Sequence, residues 1–378
     1  FYATQGNYVR LTCGNFDYRN NCFKENQSKD NIYYTGGFKE EFLLEKGDII
    51  TPLTEQAIGL LGSTARIPES GKYIQSQDIA KIDCNESLLN KDFAFYLISS
   101  AFVKQQLSAA AQQTKIRHTS PDKIKECTVW IPSLDIQKRI GRILTDIDNK
   151  IAINRQINDN LEAMAKQLYD YWFVQFDFPN EEGKPYKSSG GAMVWNEKLK
   201  REIPKEWMAS NYTDLFTIGN GQTMPQNEGL VPAYGGNGIV KMVEISNYPA
   251  CIIIGRVGAN CGSIHYSKVP CWVSDNAISI CSKNDDWQPF LFYSLKLYNL
   301  SKNKGGSSQP LITHEALKHL YFPMSEKHIN QFCHIVNELQ DLIYSNQQEM
   351  LKLTKQRDEL LPLLMNGQAT VNYHLSDD

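Results

Sequence analysis

Two long helical stretches alternate with two regions of short, strand-like segments along the chain. Apolar residues recur at intervals of four and three residues from Ile140 to Trp172, which is the spacing of a coiled-coil seam. Adding 192 to each number gives a second run with the same spacing, from Phe332 to Leu364. The 378 residues are therefore predicted to form two similar halves, each a globular region followed by a long helix.

Each predicted seam includes an asparagine near its middle. The seam positions are Ile140, Leu144, Ile147, Ile151, Asn154, Leu161 and Leu168 on the first helix and Phe332, Val336, Leu339, Ile343, Asn346, Leu353 and Leu360 on the second. Two such helices bury their stripes most simply by packing antiparallel. Asn154 and Asn346 could then hydrogen-bond across the seam and set its register, or both could lie in a wet, poorly packed stretch.

The helix starts and the zones between them define the predicted domains. Ser133 and Ser325 are plausible N-caps, each with an acidic residue in the following turn. Strand-like sequence starts almost directly at Phe1, so the first region is interpreted as incomplete at its N-terminus. The predicted zones are a first domain (1–131), a first spacer helix (132–175), a linker and second domain (176–323), a second spacer helix (324–366) and a tail (367–378).

The repeat extends into the globular regions. FAFYLI from Phe93 matches FLFYSL from Phe290, and QQTKIRH ending at His118 matches SQPLITH ending at His314. Either histidine could act as a general base, but a polar residue beside a helix start is more often a cap or a surface contact. We interpret both as structural or phosphate-facing.

Composition narrows the class of protein without identifying it. No apolar run approaches the roughly 20 residues that span a bilayer, and the first residues lack a signal-peptide layout, so a cytoplasmic protein without membrane contact is expected. The net charge of −3 gives no support to a nucleic-acid partner. The chain also lacks the P-loop, H-E-x-x-H and G-x-S-x-G motifs, so no motif indicates catalysis.

Four of the nine cysteines recur every ten residues, at Cys251, Cys261, Cys271 and Cys281. They could ligate a metal from successive strands, or each could be a small apolar residue inside a strand. Because no C-x-x-C pair occurs, the second interpretation is favoured and no metal is assigned.

The second half carries most of the polar signal. In the segment IIIGRVGANCG and the later WVSDNAISI, Arg256, Asn260, Asp275 and Asn276 offer donors and acceptors suited to base edges or phosphates. The alternative is a set of β-turns stabilised by asparagine and aspartate side chains.

Each half also contains a candidate phosphate-binding segment before a short helix start, near Ser120 and near Thr313. The candidate residues are Lys115 and Arg117 in the first half, and Lys302, Lys304, Ser307, Ser308 and Gln309 in the second. An exposed lysine run can equally be a solvated surface.

Several motifs together resemble one known family. The stretch QKRIGRILTDIDNKIAINRQINDNLEAMAKQLYDYWFVQFDF is similar to the central spacer of the specificity (S) subunit of type I restriction-modification enzymes. The segments REIPKEWMASNYTDLFTIGNG, IIIGRVGANCG, WVSDNAISI and LLPLLMNGQATV resemble later parts of that family, in the family's order.

The resemblance implies an α+β fold in which two similar mixed α/β target-recognition domains are separated by two long antiparallel helices forming a coiled coil, with an internal pseudo-two-fold repeat. It also implies a non-catalytic subunit that reads a bipartite double-stranded DNA target and binds no cofactor itself. Two modification subunits carrying S-adenosylmethionine, together with restriction subunits, are the implied partners. The alternatives are a structural coiled-coil adaptor with protein-binding ends, and a hydrolase that uses His314.

Overall fold

The computed structural model describes residues 1–18, 20–26, 32–55, 59–110, 117–258, 260–298, 300 and 312–369. The chain divides into two compact units, of which the first comprises Phe1–Ile153 and Glu349–Asp378 and the second comprises Asn154–Gln348. Each unit mixes helices with small sheets, so the α+β prediction is confirmed at this level.

The first unit contains eleven short strands and three short helices among its described residues before the first long helix. The strands are β1 (Tyr2–Ala3), β2 (Val9–Arg10), β3 (Phe16–Asp17), β4 (Cys22–Phe23), β5 (Tyr33–Tyr34), β6 (Ile49–Pro52), β7 (Thr54–Glu55), β8 (Ala65–Arg66), β9 (Tyr73–Ile74), β10 (Ile79–Ile82) and β11 (Arg117–His118). The helices are α1 (Lys91–Ser99), α2 (Ala101–Ala110) and α3 (Pro121–Lys125), with 3-10 turns at Cys13–Asn15 and Glu40–Phe42.

The strands of the first unit form small sheets in the orders β1-β5-β2-β9, β10-β6-β8, β11-β7 and β3-β4. All pairs are antiparallel except β2 with β9. One core lies under the first sheet around Leu11 and Phe16. A second core joins Phe93 of α1 to Ile140 and Leu364 of the long helices.

Helix α4 (Leu134–Tyr169) starts directly after Ser133, whose carbonyl accepts the Gln137 amide at 3.0 Å. Close packing of α4 on α1 requires a glycine at position 141, because a Cβ there would lie 2.9 Å from the Phe93 amide nitrogen. The start of the helix therefore also anchors the strand-rich region that precedes it.

The second unit has eleven further strands and two short helices among its described residues. The strands are β12 (Met193–Asn196), β13 (Arg201–Pro204), β14 (Met208–Asn211), β15 (Phe216–Asn220), β16 (Val231–Gly235), β17 (Gly238–Val243), β18 (Cys251–Gly255), β19 (Ile264–Ser267), β20 (Trp272–Val273), β21 (Ala277–Ser282) and β22 (Tyr321–Met324). The helices are α5 (Gln288–Leu297) and α6 (His314–Lys318), followed by the long α7 (Glu326–Met365); 3-10 turns occupy Tyr212–Asp214 and Asp285–Trp287, and a π-helical turn occupies Asp170–Val174.

The sheets of the second unit have the orders β15-β21-β18-β19, β17-β16-β20, β14-β22 and β12-β13. The central strand β18 is buried along its whole length, because it pairs on both edges and contributes Ile252 and Ile254 to the main core. That core continues through Phe290 of α5 to Phe332 of α7 and to Phe173 of the π-helical turn.

The long helices run antiparallel within each unit. In the first unit, Asp148 accepts from Arg357 at 2.9 Å and Lys150 approaches Glu349 at 3.5 Å, so numbers rise along α4 as they fall along α7. In the second unit, Asn158 contacts Asn346 and, further along α4, Tyr169 contacts Phe332, so the numbers again rise along α4 as they fall along α7.

An asparagine contact joins the two helices. Asn346 donates to Asn158 at 2.9 Å, one turn beyond Asn154, the residue for which the sequence left open a bond to Asn346 or a wet stretch. In an antiparallel pair both side chains lean towards the N-terminus of their own helix. Two side chains that meet therefore come from residues with slightly higher numbers than the two residues whose Cα atoms lie opposite each other. Asn154 is itself buried, at 3 % exposure.

Most predicted seam residues are buried or half-buried, but Leu360 is not. Its side chain is 36 % exposed, whereas Leu361 and Leu364 pack against the core of the first unit. A straight helix drifts by about 20° per heptad from an ideal seven-residue repeat, and this drift shifts the apolar face by one position near the end of α7.

The cysteines at ten-residue spacing do not share one environment. Cys251 and Cys281 lie in strands, and Cys251 and Cys271 are buried with their sulfur atoms 3.6 Å apart. Cys261 lies in a turn instead of the expected strand, where its thiol donates to the Arg256 carbonyl. In the part of the chain that the structure describes, no three His, Cys, Asp or Glu side chains are grouped to hold a metal.

None of the helices among the described residues is both long enough and apolar enough to span a membrane.

Candidate nucleic-acid interface

The polar residues predicted in the second half converge at the end of β18. Arg256 follows this strand, and its amide donates to the Asn276 carbonyl at 2.9 Å. Its own carbonyl accepts from the Ile312 amide at 3.1 Å. The backbone at Arg256 is therefore held from both sides at the end of the strand, and the residue is half-buried.

A tight turn brings Asn260 next to this strand end. Gly262 adopts a φ of +90° and donates to the Gly255 carbonyl at 2.9 Å, and Ser263 donates to Asn260 at 3.1 Å. A Cβ at Gly255 would lie 2.4 Å from the Asn260 carbonyl, so this approach requires glycine.

A second turn presents Asp275 and Asn276 between β20 and β21. The Ala277 amide donates to the Ser274 carbonyl at 2.9 Å, and the Asp275 amide donates to Gln222 at 3.0 Å. Both Asp275 and Asn276 are exposed. The structure thus groups all four predicted residues on one edge of the second unit.

The side chains of this group remain available to a ligand. Arg256, Asn260, Asp275 and Asn276 make no side-chain hydrogen bond or ion pair with any residue that the structure describes. One cation, one carboxylate and two amides on a fixed frame match the mixed donors and acceptors of base edges better than a row of phosphates, which would favour cations throughout.

His265 of β19 lies beside this edge, near the β16–β17 hairpin. A Cβ at Gly238 would lie 3.4 Å from the imidazole Cε1. Burial, helped by the charge of Lys296, lowers the pKa of His265. The ring is therefore neutral near pH 7 and adds no positive charge to the edge.

The predicted phosphate contacts of the first half have a different role or lie outside the described residues. Arg117 in β11 places its guanidinium 3.4 Å from the buried carboxylate of Glu55. Glu55 also accepts the Leu60 and Leu61 amides at 2.7 and 2.9 Å. Arg117 thus compensates an internal charge, which sequence could not reveal because Glu55 is distant along the chain. Lys115 lies outside the described residues.

The lysine-rich loop of the second half, with Lys302, Lys304, Ser307, Ser308 and Gln309, also lies outside the described residues.

The helix starts that follow these segments are capped by the protein itself. Ser120 accepts the Lys123 amide at 3.3 Å, and Thr313 accepts the Ala316 amide at 3.4 Å. These caps correspond to each other, so His118 in β11 and His314 at the first position of α6 are not equivalent. Aligning the two segments on their histidines therefore shifts them by three residues from the alignment that the helix caps define.

The turn Ser76–Ile79 of the first unit, which joins β9 to β10, was not predicted to be functional. Its sequence, QSQDIA, resembles VSDNAI around Asp275, and the shared serine followed by an acid or amide is the signal that could have identified it.

Comparison with known proteins identifies the family. The family model described as "Type I restriction modification DNA specificity domain" matches residues 9–163 and again 204–357. The chain belongs to this DNA specificity family. Each matched segment contains one strand-rich region and most of the long helix that follows it, in agreement with two related halves.

Individual family members show the same relationship. The type I restriction enzyme MjaIX specificity subunit of Methanocaldococcus jannaschii is 24 % identical over 309 residues, covering 74 % of this chain and 69 % of that protein. The HindI specificity subunit of Haemophilus influenzae is 30 % identical over 107 residues, covering 28 % of this chain and 23 % of that protein. The crystal structure of an S subunit from M. genitalium superposes with a TM-score of 0.60 at 18 % identity, covering 96 % of this chain and 90 % of that one.

Family membership confirms the prediction of a type I specificity subunit that recognises DNA and is not itself an enzyme. Neither the adaptor nor the hydrolase using His314 is supported by these similarities. The fold likeness to the M. genitalium subunit also agrees with two domains of mixed helices and sheets.

Proposed function

We propose that this specificity subunit reads a bipartite DNA target, with one family-matched segment on each half-site and α4 and α7 as an antiparallel coiled coil that sets the unread gap. The observation that carries the proposal is the double family match, in which each copy includes a strand-rich region and a long helix. The antiparallel contacts within each unit, such as Arg357 with Asp148, support the helix arrangement.

The edge around Arg256 supplies the recognition chemistry for one half-site. Phosphate contacts orient a protein on DNA, whereas side chains at base edges determine sequence preference. A fixed arginine suits guanine O6 and N7, and the amide of Asn276 suits adenine. This group of side chains, which have no hydrogen-bond or ion-pair partner among the described residues, is therefore proposed as a base-reading surface.

Docking of partner subunits is the second part of the proposal. The similar proteins are named as subunits of type I restriction enzymes, which supports assembly with two modification subunits and with restriction subunits. On α4 of the second unit, Ile157 and Met164 are 41 and 55 % exposed, and Leu342 of α7 is 54 % exposed. Such apolar surface suits protein contact. S-adenosylmethionine would be carried by the modification subunits, and the complex would act in the cytoplasm.

Adenine methylation in cells with and without this gene tests the proposal directly. We expect one split motif, methylated in both halves, to be present only when the gene is present. A motif that is unchanged by deletion of the gene, or one without a gap, would contradict bipartite reading by this chain.

Matched insertions of seven residues in α4 and α7 test the role of the helices. A heptad keeps the apolar face in register while adding about 10 Å at 1.5 Å per residue. The tolerated gap between half-sites should then lengthen while the half-site sequences stay the same. An insertion of the same length in the exposed turn at Gly183, on the loop after the first helix, is the control and should leave the gap unchanged.

A further inference from the structure

The backbone frame that presents Arg256, Asp275 and Asn276 occurs a second time, in the first unit. Four backbone hydrogen bonds of one frame have counterparts in the other. In the first unit, the amides of Leu53, Thr119, Ile79 and Ser63 donate to the carbonyls of Asp78, Leu53, Ser76 and Leu60 at 2.8, 2.8, 3.1 and 3.1 Å. In the second unit and in the same order, the amides of Arg256, Ile312, Ala277 and Ser263 donate to the carbonyls of Asn276, Arg256, Ser274 and Asn260 at 2.9, 3.1, 2.9 and 3.1 Å.

Strand register and backbone angles confirm the same correspondence. Ile79 lies opposite Pro52 at the end of β6, as Ala277 lies opposite Gly255 at the end of β18. Gly62 has a φ of +79° where its counterpart Gly262 has +90°. These matches make the two frames equivalent, although their side chains have little in common.

The side chains on the equivalent positions differ in chemistry. Where the second unit has Arg256 and Asn260, the first has half-buried Leu53 and Leu60. Where the second has Asp275 and Asn276, the first has exposed Gln77 and half-buried Asp78. The side chains of Gln77 and Asp78 make no hydrogen bond or ion pair with any residue in the described part of the chain.

We propose that Gln77 and Asp78 are the base-reading residues of the first unit, and that they select a base with an exocyclic amino group, adenine or cytosine, where the second unit selects guanine through Arg256. This inference rests on the proposed function, and it adds the chemical class that each half-site presents to its frame.

The choice of an amino group follows from charge. A carboxylate repels phosphate, so an aspartate on a DNA-facing turn has to meet a hydrogen-bond donor, and the amino groups of cytosine and adenine are the donors of the major groove. A glutamine amide pairs with adenine N6 and N7. The two leucines leave the frame without a cation and can contact the methyl group of a neighbouring thymine.

Arg117, two residues before Thr119, whose amide donates to the Leu53 carbonyl in this frame, does not take over the role of Arg256. Its guanidinium faces buried Glu55, and its strand position belongs to β11 and not to the turn that carries Gln77 and Asp78. The first frame therefore reads without an arginine.

The test uses the complex purified through an affinity tag on this full chain, with a pool of randomised DNA duplexes as the probe. Bound sequences are compared for the wild type, Asp78→Ala, Gln77→Ala and Asn276→Ala. Glu86→Ala, which removes a carboxylate from an exposed turn of the same unit, is the matched control.

We expect Asp78→Ala to lose roughly tenfold or more of the preference at one base of one half-site and to leave the other half-site unchanged. Asn276→Ala should lose preference in the other half-site and leave the half-site affected by Asp78→Ala unchanged. Glu86→Ala should leave the preference at both half-sites unchanged. Asp78→Asn keeps the size of the side chain but adds a donor, so it should change which base is preferred at that position; thermal unfolding of each variant confirms that it is folded.

Two results separate this inference from the proposed function. If Asn276→Ala changes its half-site but neither Gln77→Ala nor any Asp78 variant changes the other, the inference is wrong and bipartite recognition stands. An equal loss on all sequences with Asp78→Ala would likewise overturn it. If the wild-type complex selects no split sequence, the proposed function fails and the inference fails with it.

Discussion

The substitution Arg357→Ala tests how the first unit is fixed to the long helices. The Arg357 guanidinium lies 2.9 Å from Asp148 of α4 and 2.8 Å from Asp358, and only 10 % of its side chain is exposed. Tyr96 of α1 donates to the other oxygen of Asp148 at 2.7 Å. Burial raises the pKa of Tyr96, so its hydroxyl remains a donor at neutral pH. One carboxylate thus joins a domain helix to α4 and α7.

The expected cost follows from the charge that the substitution leaves behind. Removing one partner of a buried ion pair costs about 3 to 5 kcal/mol. Asp148 is 28 % exposed and keeps the Tyr96 hydrogen bond, which lowers the expected loss to about 2 to 3 kcal/mol. For a unit of this size that corresponds to a fall in Tm of about 5 to 10 °C.

The second unit indicates how the loss can be recovered. The positions 192 residues away from Asp148 and Arg357 are Gln340 and Ala165, both buried, and Gln340 donates to the Tyr293 hydroxyl at 3.4 Å. The equivalent layer is therefore neutral there. Asp148→Gln combined with Arg357→Ala copies this arrangement, so it should restore stability to within about 1 kcal/mol of the wild type.

Urea unfolding of the wild type, the two single variants and the double variant forms a double-mutant cycle. A coupling energy below about 0.5 kcal/mol, or a double variant that loses as much as both single variants together, would refute the reasoning. Lys150→Ala, which removes the exposed pair with Glu349 between the same two helices, is the control and should cost less than about 1 kcal/mol.

Three further predictions concern the second unit. Burial, with the nearby charge of Lys327 adding to it, lowers the pKa of His328 from 6.5 to about 4. The folded state therefore favours the neutral ring, and the stability that this ring contributes is lost as the pH falls from about 6.5 towards 4. Urea unfolding at several pH values should show that His328→Gln loses less stability in acid than the wild type, whereas exposed His319→Gln should show no such difference. Asn346→Leu should cost about 1 to 3 kcal/mol because buried Asn158 loses its 2.9 Å donor, whereas leucine at both positions should recover most of that loss in thermal unfolding. Arg256→Ala should weaken binding of one half-site only in a DNA shift assay with the partner subunits, and equal loss on unrelated DNA would reduce this residue to a phosphate contact.

The extent of the long helices and the relation between the two halves were determined by the sequence itself. The spacing of apolar residues and the serines at positions 133 and 325 predicted helices close to Leu134–Tyr169 and Glu326–Met365. Helical periodicity and capping depend on neighbours within a few residues, so they can be read locally. Arg256 and Asp275 were named as candidates from the sequence, but their grouping at one edge follows from the pairing of β18 with β21.

The tertiary structure decided everything that depends on pairing between distant segments. Arg117 was assigned to phosphate, but β11 pairs with β7 and directs it to buried Glu55. The sequence left open whether Asn346 bonds to Asn154, and the lean of side chains in an antiparallel pair gives it a hydrogen bond to Asn158. The equivalence of Leu53 with Arg256 could not be predicted either. It is defined by backbone hydrogen bonds between distant segments, and these bonds do not depend on which side chain the residue carries.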